Sequence, residues 1–334
     1  MGLTKVLPLE YMKIENSPHT DGWYAKVRRN PSLRALLWPV RAARGLMGDR
    51  EEAAMERHFA HFFRAVEGGS VIVKVPEMQG SFELDARSTL LKRVLKKGHY
   101  EPVVAQVILN HLNRHADAID IGANAGFFTV LMAKQLAPKR RVLAIEPTAN
   151  ALRFLRSNIA RNNVGSSVVV CDKVVMDKIG EFNLHVIPGK EEYSCVFQND
   201  PAPARGRAGQ GSLEDWMAHA GIAADQATVV KSEGETVDNL VDTMNLGPGF
   251  IKMDAEGAEY LVLQGARKTL ERWKPAIISE VCDMLLHKSG HSAKGLIEYL
   301  TGFGYRVLDA ENPGTPISSV FNGTILALPA AERS

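Results

Sequence analysis

The chain is 334 residues long, 45% hydrophobic, with a formal net charge of +2, which suits one large domain or a core domain with an appendage. No apolar run approaches the roughly eighteen residues needed to span a bilayer, the N-terminus lacks a signal-peptide pattern, and no basic stripe interleaved with aromatics calls for nucleic acid. Cys171, Cys195 and Cys282 are widely spaced and support neither a disulfide framework nor a zinc site, so a cytoplasmic setting is expected.

Residues 1–70 are expected to form a mainly helical N-terminal extension. Residues 26–50 hold seven basic side chains against the single acid Asp49, interleaved with Leu33, Leu36, Leu37, Val40 and Leu46. Two readings stand: a surface for a membrane or an acidic substrate, or a helix packed on the core or on a second copy of the chain. Pro39 interrupts the pattern and favours the packed helix. Residues 51–66 read as a helix stopped by Gly68-Gly69. His58 and His61 sit three apart there without an acidic partner at metal-site spacing. Paired strands at Ser70–Val75 and Ser81–Leu84 follow, then helical segments from Thr89 to Asn113.

From 118 the pattern alternates: strand 118–122, helix 126–136, strand 141–146, helix 149–162 and strand 167–171. Leu152, Leu155 and Ile159 give the second helix its buried stripe, with Thr148 as its N-cap. The first turn, Asp120-Ile-Gly-Ala-Asn-Ala-Gly126-Phe127, has the form of a nucleotide-cofactor loop. A dinucleotide loop needs glycine where Asn124 and Phe127 stand, because the pyrophosphate approaches bare backbone. The loop therefore suits a cofactor with one nucleoside and no phosphate, S-adenosyl-L-methionine. Glu146, closing the second strand before Pro147, is placed to accept from both ribose hydroxyls.

Gly180 marks a turn before a strand to Val186, and the Pro/Gly/Ala-rich residues 199–226 read as an insert. Order resumes at Val229-Val230 and Thr236–Leu240, then strand 250–254, helix 257–272, strand 276–280 and helix 293–302. Tyr305–Leu308 and Ser319–Leu328 form a terminal hairpin. The expected fold is α/β: a Rossmann-like Class I methyltransferase sheet, mostly parallel, with a C-terminal antiparallel hairpin. The methyltransferase domain spans 71–330.

Ile251-Lys-Met-Asp254-Ala-Glu256-Gly-Ala-Glu259 gathers Lys252 and three carboxylates at a strand's carboxyl end, where open α/β sheets bind ligands. Helix-dipole complementarity and a Lys–Glu pair account for Glu259, but not for Asp254 and Glu256. With Asp120–Gly126, Glu146-Pro147, Val174–Gly180, Thr236–Leu240, Pro275–Glu280 and Tyr100-Glu101-Pro102, this stretch makes residues 80–328 resemble the FkbM family of S-adenosylmethionine-dependent methyltransferases. The resemblance implies O-methylation of a hydroxyl on a sugar, glycolipid or polyketide-like small molecule.

Position assigns Asp120, Gly122, Ala123, Asn124, Gly126 and Phe127 to the cofactor loop, and Glu146 with Pro147 to the ribose. Asp172 meets the adenine amino group or is a plain turn residue, and Glu101 reaches the methionyl ammonium. Asp254 and Glu256, with Glu280, position or deprotonate the acceptor. Asp254, Glu256, Glu280 and Asp283 also offer hard oxygen ligands for Mg²⁺, although no spacing demands a metal. The rival readings are an NAD-dependent oxidoreductase, disfavoured by Asn124 and Phe127, and a non-catalytic binding protein, disfavoured by joint retention of loop and carboxylates.

Overall fold

The computed structural model describes residues 12–13, 69–196, 227–314, 317 and 320–330. The expected N-terminal helices, the basic stretch 26–50, His58, His61 and the 199–226 insert lie outside the described residues. The chain divides into two compact units, Met1–Tyr100 and Glu101–Ser334.

In the first unit, β1 (Met12–Lys13), β2 (Ser70–Val75) and β3 (Gly80–Asp85) form an antiparallel sheet, with β2 and β3 paired as the sequence suggests. Val71, Val73 and Val75 alternate inward from β2, and Phe82 and Leu84 from β3. Helix α1 (Thr89–Lys97) starts at Ser88, whose Oγ accepts from the Leu91 amide at 3.2 Å, and ends at left-handed Gly98.

The second unit begins with α2 (Pro102–His111) and then alternates: β4 (Asp117–Ile121), α3 (Phe127–Gln135), β5 (Val142–Ile145), α4 (Ala149–Arg161), β6 (Val168–Cys171). After an excursion come α5 (Val237–Thr243), β11 (Pro248–Met253), α6 (Glu259–Gln264), α7 (Arg267–Trp273) and β12 (Ala276–Cys282). The C-terminal part holds α8 (Asp283–Lys288), α9 (Ala293–Gly302), β13 (Tyr305–Asp309) and β14 (Asn322–Pro329). Seven strands form one sheet in the order β13-β14-β12-β11-β4-β5-β6. The five from β12 to β6 run parallel, and β14 lies antiparallel to both β12 and β13. This is the mostly parallel, Rossmann-like sheet with a C-terminal antiparallel hairpin that the alternation leads one to expect.

The central strands are buried and mostly apolar because helices cover both faces: Ile119, Leu143, Ile251 and Ile277 are each at most 2% exposed, and the charged exceptions Asp117 and Asp120 of β4 and Lys252 of β11 are buried with them. Strand order reverses between β4 and β11, which opens a crevice at their carboxyl ends. No helix among the described residues is long and apolar enough to cross a membrane.

Three local readings need correction. The excursion between β6 and α5 builds a second sheet, β7 (Val174–Val175), β10 (Thr228–Glu235), β8 (Gly180–Val186) and β9 (Cys195–Val196), in that order; β10 runs well past Val229-Val230 because it pairs with β8 along its whole length. The helix expected over 257–272 splits into α6 and α7. Gly265 sits at the break, where a Cβ would land on the Met176 carbonyl oxygen, and Asp238 caps α7 by accepting from the Lys268 and Thr269 amides at 2.9 and 2.8 Å. Thr148 does not cap α4 with its side chain; its hydroxyl donates to Glu146 instead.

Candidate active site

The β4–α3 turn is wound tightly by its own backbone. Gly122 and Ala123 amides both donate to the Ile145 carbonyl, at 3.0 and 2.9 Å, and Gly126 donates to Ala123 at 2.8 Å. Gly122 has φ +71°, and a Cβ there would fall on the Asp254 carbonyl oxygen. Its glycine requirement therefore comes from the neighbouring strand end as much as from any ligand. Gly126, at φ +85°, presses against Leu155 of α4, whose Cδ1 would lie 2.7 Å from an added Cβ. Asn124 is also left-handed, a conformation asparagine tolerates. Phe127 is buried as the first residue of α3. Buried Asn158 reaches from α4 to donate to the Ala125 carbonyl at 2.9 Å.

Glu146 stands beside this loop at the end of β5. Its Oε2 accepts from the Asn124 amide at 3.0 Å, and its Oε1 from the Thr148 amide and hydroxyl at 2.9 and 2.6 Å. Burial pushes its carboxyl up, against the pull of those hydrogen bonds. Pro147 is half-buried between them. Asp172 follows β6 on the same sheet edge but is exposed, with Arg156 at 3.8 Å.

Across the switch point, Lys252 pairs in register with Asp120. Its Nζ is almost wholly buried, donates to the Gly122 carbonyl at 3.1 Å, and lies 3.7 Å from Asp120 and 3.8 Å from Asp254. Asp120 also accepts from Thr129 Oγ1 in the first turn of α3 at 2.5 Å. Burial alone pulls the Lys252 ammonium down, yet Asp254, Asp120, Glu101 and Glu280 together hold it above its usual range. Burial pushes Asp120 up, opposed first by Lys252. The expected Lys–Glu pair is thus an Asp–Lys–Asp arrangement.

Beyond β11 the chain turns through Glu256 (φ +48°) and Gly257 (φ +97°). Glu259 Oε1 accepts from the Ala255 and Gly257 amides at 2.9 and 3.1 Å. Burial raises Glu259 to about 7. Glu256 is raised well above the carboxylate range, by burial first and then by the charges of Asp254, Glu280 and Glu259. A pocket of about 210 Å³ opens beside this turn, lined by Glu101, Lys252, Asp254, Glu280, Glu311 and Thr324 among others.

The crevice therefore brings together the glycine loop, Glu101, Asp254 and Glu280, with Glu256 within electrostatic reach. The magnesium set does not assemble: Asp283 is buried and its carboxylate accepts from the Ala293 amide at 2.7 Å, and no group of three or more metal-ligating side chains occurs among the described residues. Thr129 and Asn158 were not legible as site residues, because each acts through one tertiary hydrogen bond. Lys252 carried a signal, a lysine inside an otherwise apolar parallel strand.

Residues 120–307 match the family model described as Methyltransferase FkbM domain. No curated protein matches the chain. Among solved structures it is similar to methyltransferase FkbM from Methylobacillus flagellatus KT, at 16% identity and a TM-score of 0.39, over 93% of this chain and 62% of that one. The chain thus spans less than two thirds of that protein's length. It is also similar to the Bacillus cereus O-methyltransferase in complex with SAH (16% identity, TM-score 0.37, 68% and 79% covered). A third is the O-methyltransferase TomG of tomaymycin synthesis from Streptomyces achromogenes, in complex with SAM (11%, 0.41, 85% and 100%).

Proposed function

The chain belongs to the FkbM methyltransferase family, and we propose that it moves a methyl group from S-adenosyl-L-methionine to a hydroxyl of a sugar, glycolipid or polyketide-like small molecule. One observation carries the reading: the cofactor-type loop and the acceptor-side carboxylate meet at the switch point, joined by Lys252 between Gly122 and Asp254.

The donor side fits the cofactor. An ionised carboxylate offers about four acceptor sites, and Glu146 uses three of them on Asn124 and Thr148; the fourth suits one ribose hydroxyl, where the sequence led us to expect two. Asp120 orders the loop through Thr129 and Lys252; Glu101 would hold the methionyl ammonium, and Asp172 would meet the adenine amino group. When bound, S-adenosyl-L-methionine supplies an electrophilic methyl on a sulfonium.

The chain's own task is alignment, which is worth roughly 7–11 kcal/mol when reacting atoms are held in near-attack geometry. Asp254 and Glu256 position the acceptor hydroxyl and take its proton, with Glu280 on the same rim. Burial and the neighbouring carboxylates raise the Glu256 carboxyl, so it binds a proton more readily than an exposed glutamate does.

Calorimetric titration with S-adenosylhomocysteine and with NAD tests the donor assignment. Binding of the first and not the second is expected; the reverse overturns it. A product heavier by one methyl, after incubation with hydroxyl acceptors, tests the transfer.

A further inference from the structure

We infer that Glu259 is a positioning residue for Glu256, clamping the amides on either side of it so that Glu256 is held in a left-handed backbone beside Asp254 and Glu280. This rests on the methyl-transfer reading, in which Glu256 serves the acceptor.

Three observations carry it. The two bonds from Glu259 Oε1 go to Ala255 and Gly257, the residues flanking Glu256, and both amides precede α6. They therefore fix the turn itself. A left-handed φ of +48° is unfavourable for a residue with a side chain, so something outside Glu256 must hold it. Finally, Glu259 is 3% exposed, and its Oε2 has no hydrogen-bond partner among the described residues. A carboxylate serving only the helix dipole would sit in water at lower cost.

The opposite side of the turn is equally constrained. An added Cβ on Gly257 would lie 2.7 Å from the Leu285 carbonyl oxygen, and Ser289 Oγ donates to the Gly257 carbonyl at 2.9 Å. The turn is thus gripped by Glu259 from α6 and by the α8 end from the other side.

The largest influences on Glu256 are burial, then the charges of Asp254, Glu280, Glu259 and Cys282. Its titration therefore reports whether the turn is held, without any need for an identified acceptor. The experiment is ¹³C-carboxyl NMR titration of Glu256 in the full chain, assigned with Glu256→Gln, for wild type, Glu259→Gln and Glu259→Asp. Glutamine keeps the reach without the charge, whereas aspartate keeps the charge without the reach. Glu256 should stay raised in wild type and in Glu259→Gln, apart from the share owed to the lost Glu259 charge.

In Glu259→Asp it should fall by about one unit or more as water enters the turn. An equal fall in both variants, or none in Glu259→Asp, overturns the inference. Should Glu259→Asp not fold, Gly257→Ala strains the same turn with Glu259 intact and must lower Glu256 likewise; an unchanged titration there also overturns it. Titration of wild type with S-adenosylhomocysteine separates the two readings, since absence of binding sinks methyl transfer and leaves the clamp untouched.

Discussion

The Lys252 ammonium donates to the Gly122 carbonyl at 3.1 Å while standing between Asp120 and Asp254, at 3.7 and 3.8 Å. One buried cation thus ties the end of β4, the glycine loop and the Asp254 carboxylate together. A lone buried charge costs several kcal/mol, so each member of this group depends on the others.

Lys252→Met should therefore destabilise the protein by about 3–5 kcal/mol, the usual cost of leaving a buried partner charge uncompensated. Adding Asp120→Asn should recover part of that loss. Thermal or denaturant unfolding of the single and double variants measures it, and strictly additive losses would show that the pair is not coupled.

Gly122→Ala meets both a positive φ and the Asp254 carbonyl, and neither can yield cheaply because both belong to the backbone. It should cost more than the roughly 1–3 kcal/mol of left-handed strain alone. Gly126→Ala, which meets a movable Leu155 methyl, should cost less. Unfolding midpoints of the two variants give the order.

Glu146→Ala removes the acceptor of the Asn124 amide and of Thr148. Leaving those donors unpaired costs about 1–3 kcal/mol of stability, and loosening the loop while removing its carboxylate should reduce S-adenosylhomocysteine affinity about tenfold. Asp254→Asn, which removes one of the two carboxylates paired with Lys252, should lower that affinity less than Glu146→Ala does and should depress turnover. Calorimetry on both variants decides; equal losses of affinity would contradict the division into donor and acceptor halves.

Glu259 makes a pH prediction. Its carboxyl is raised from 4.5 to about 7 on folding, so between those values the folded state binds more protons than the unfolded one. Stability from this group is therefore largest at low pH and is lost as pH rises through about 7. At about 1.4 kcal/mol per unit, the loss is about 3 to 3.5 kcal/mol by pH 8. Glu259→Gln removes this dependence, so denaturant unfolding of wild type relative to this variant should show wild type losing ground from pH 5 to pH 8.

Much of the scaffold was legible because it depends on periodicity. The strands expected at 118–122, 141–146 and 250–254 appear as β4, β5 and β11 within a residue or two, since a strand covered on both faces reads as a nearly continuous hydrophobic run. The helix break at Gly265 was not legible, because its cause is the Met176 backbone some ninety residues earlier in the chain. The small second sheet was missed for a similar reason: β10 owes its length to pairing with β8.

At the site, the chain's own residues determined the kind of loop. Asn124 and Phe127 in place of glycine set it against a pyrophosphate, and the run Lys252–Glu259 announced a cluster of charge at a strand end. Only the tertiary structure decided how those charges are paired. Lys252 joins Asp120 of the neighbouring strand and Asp254 just past its own strand, instead of Glu259 at the start of α6, and Glu259 turns back to hold the residues around Glu256. Local sequence sets which groups are available and at what spacing, but a buried charge chooses its partner across strands, where distance through space has no counterpart along the chain.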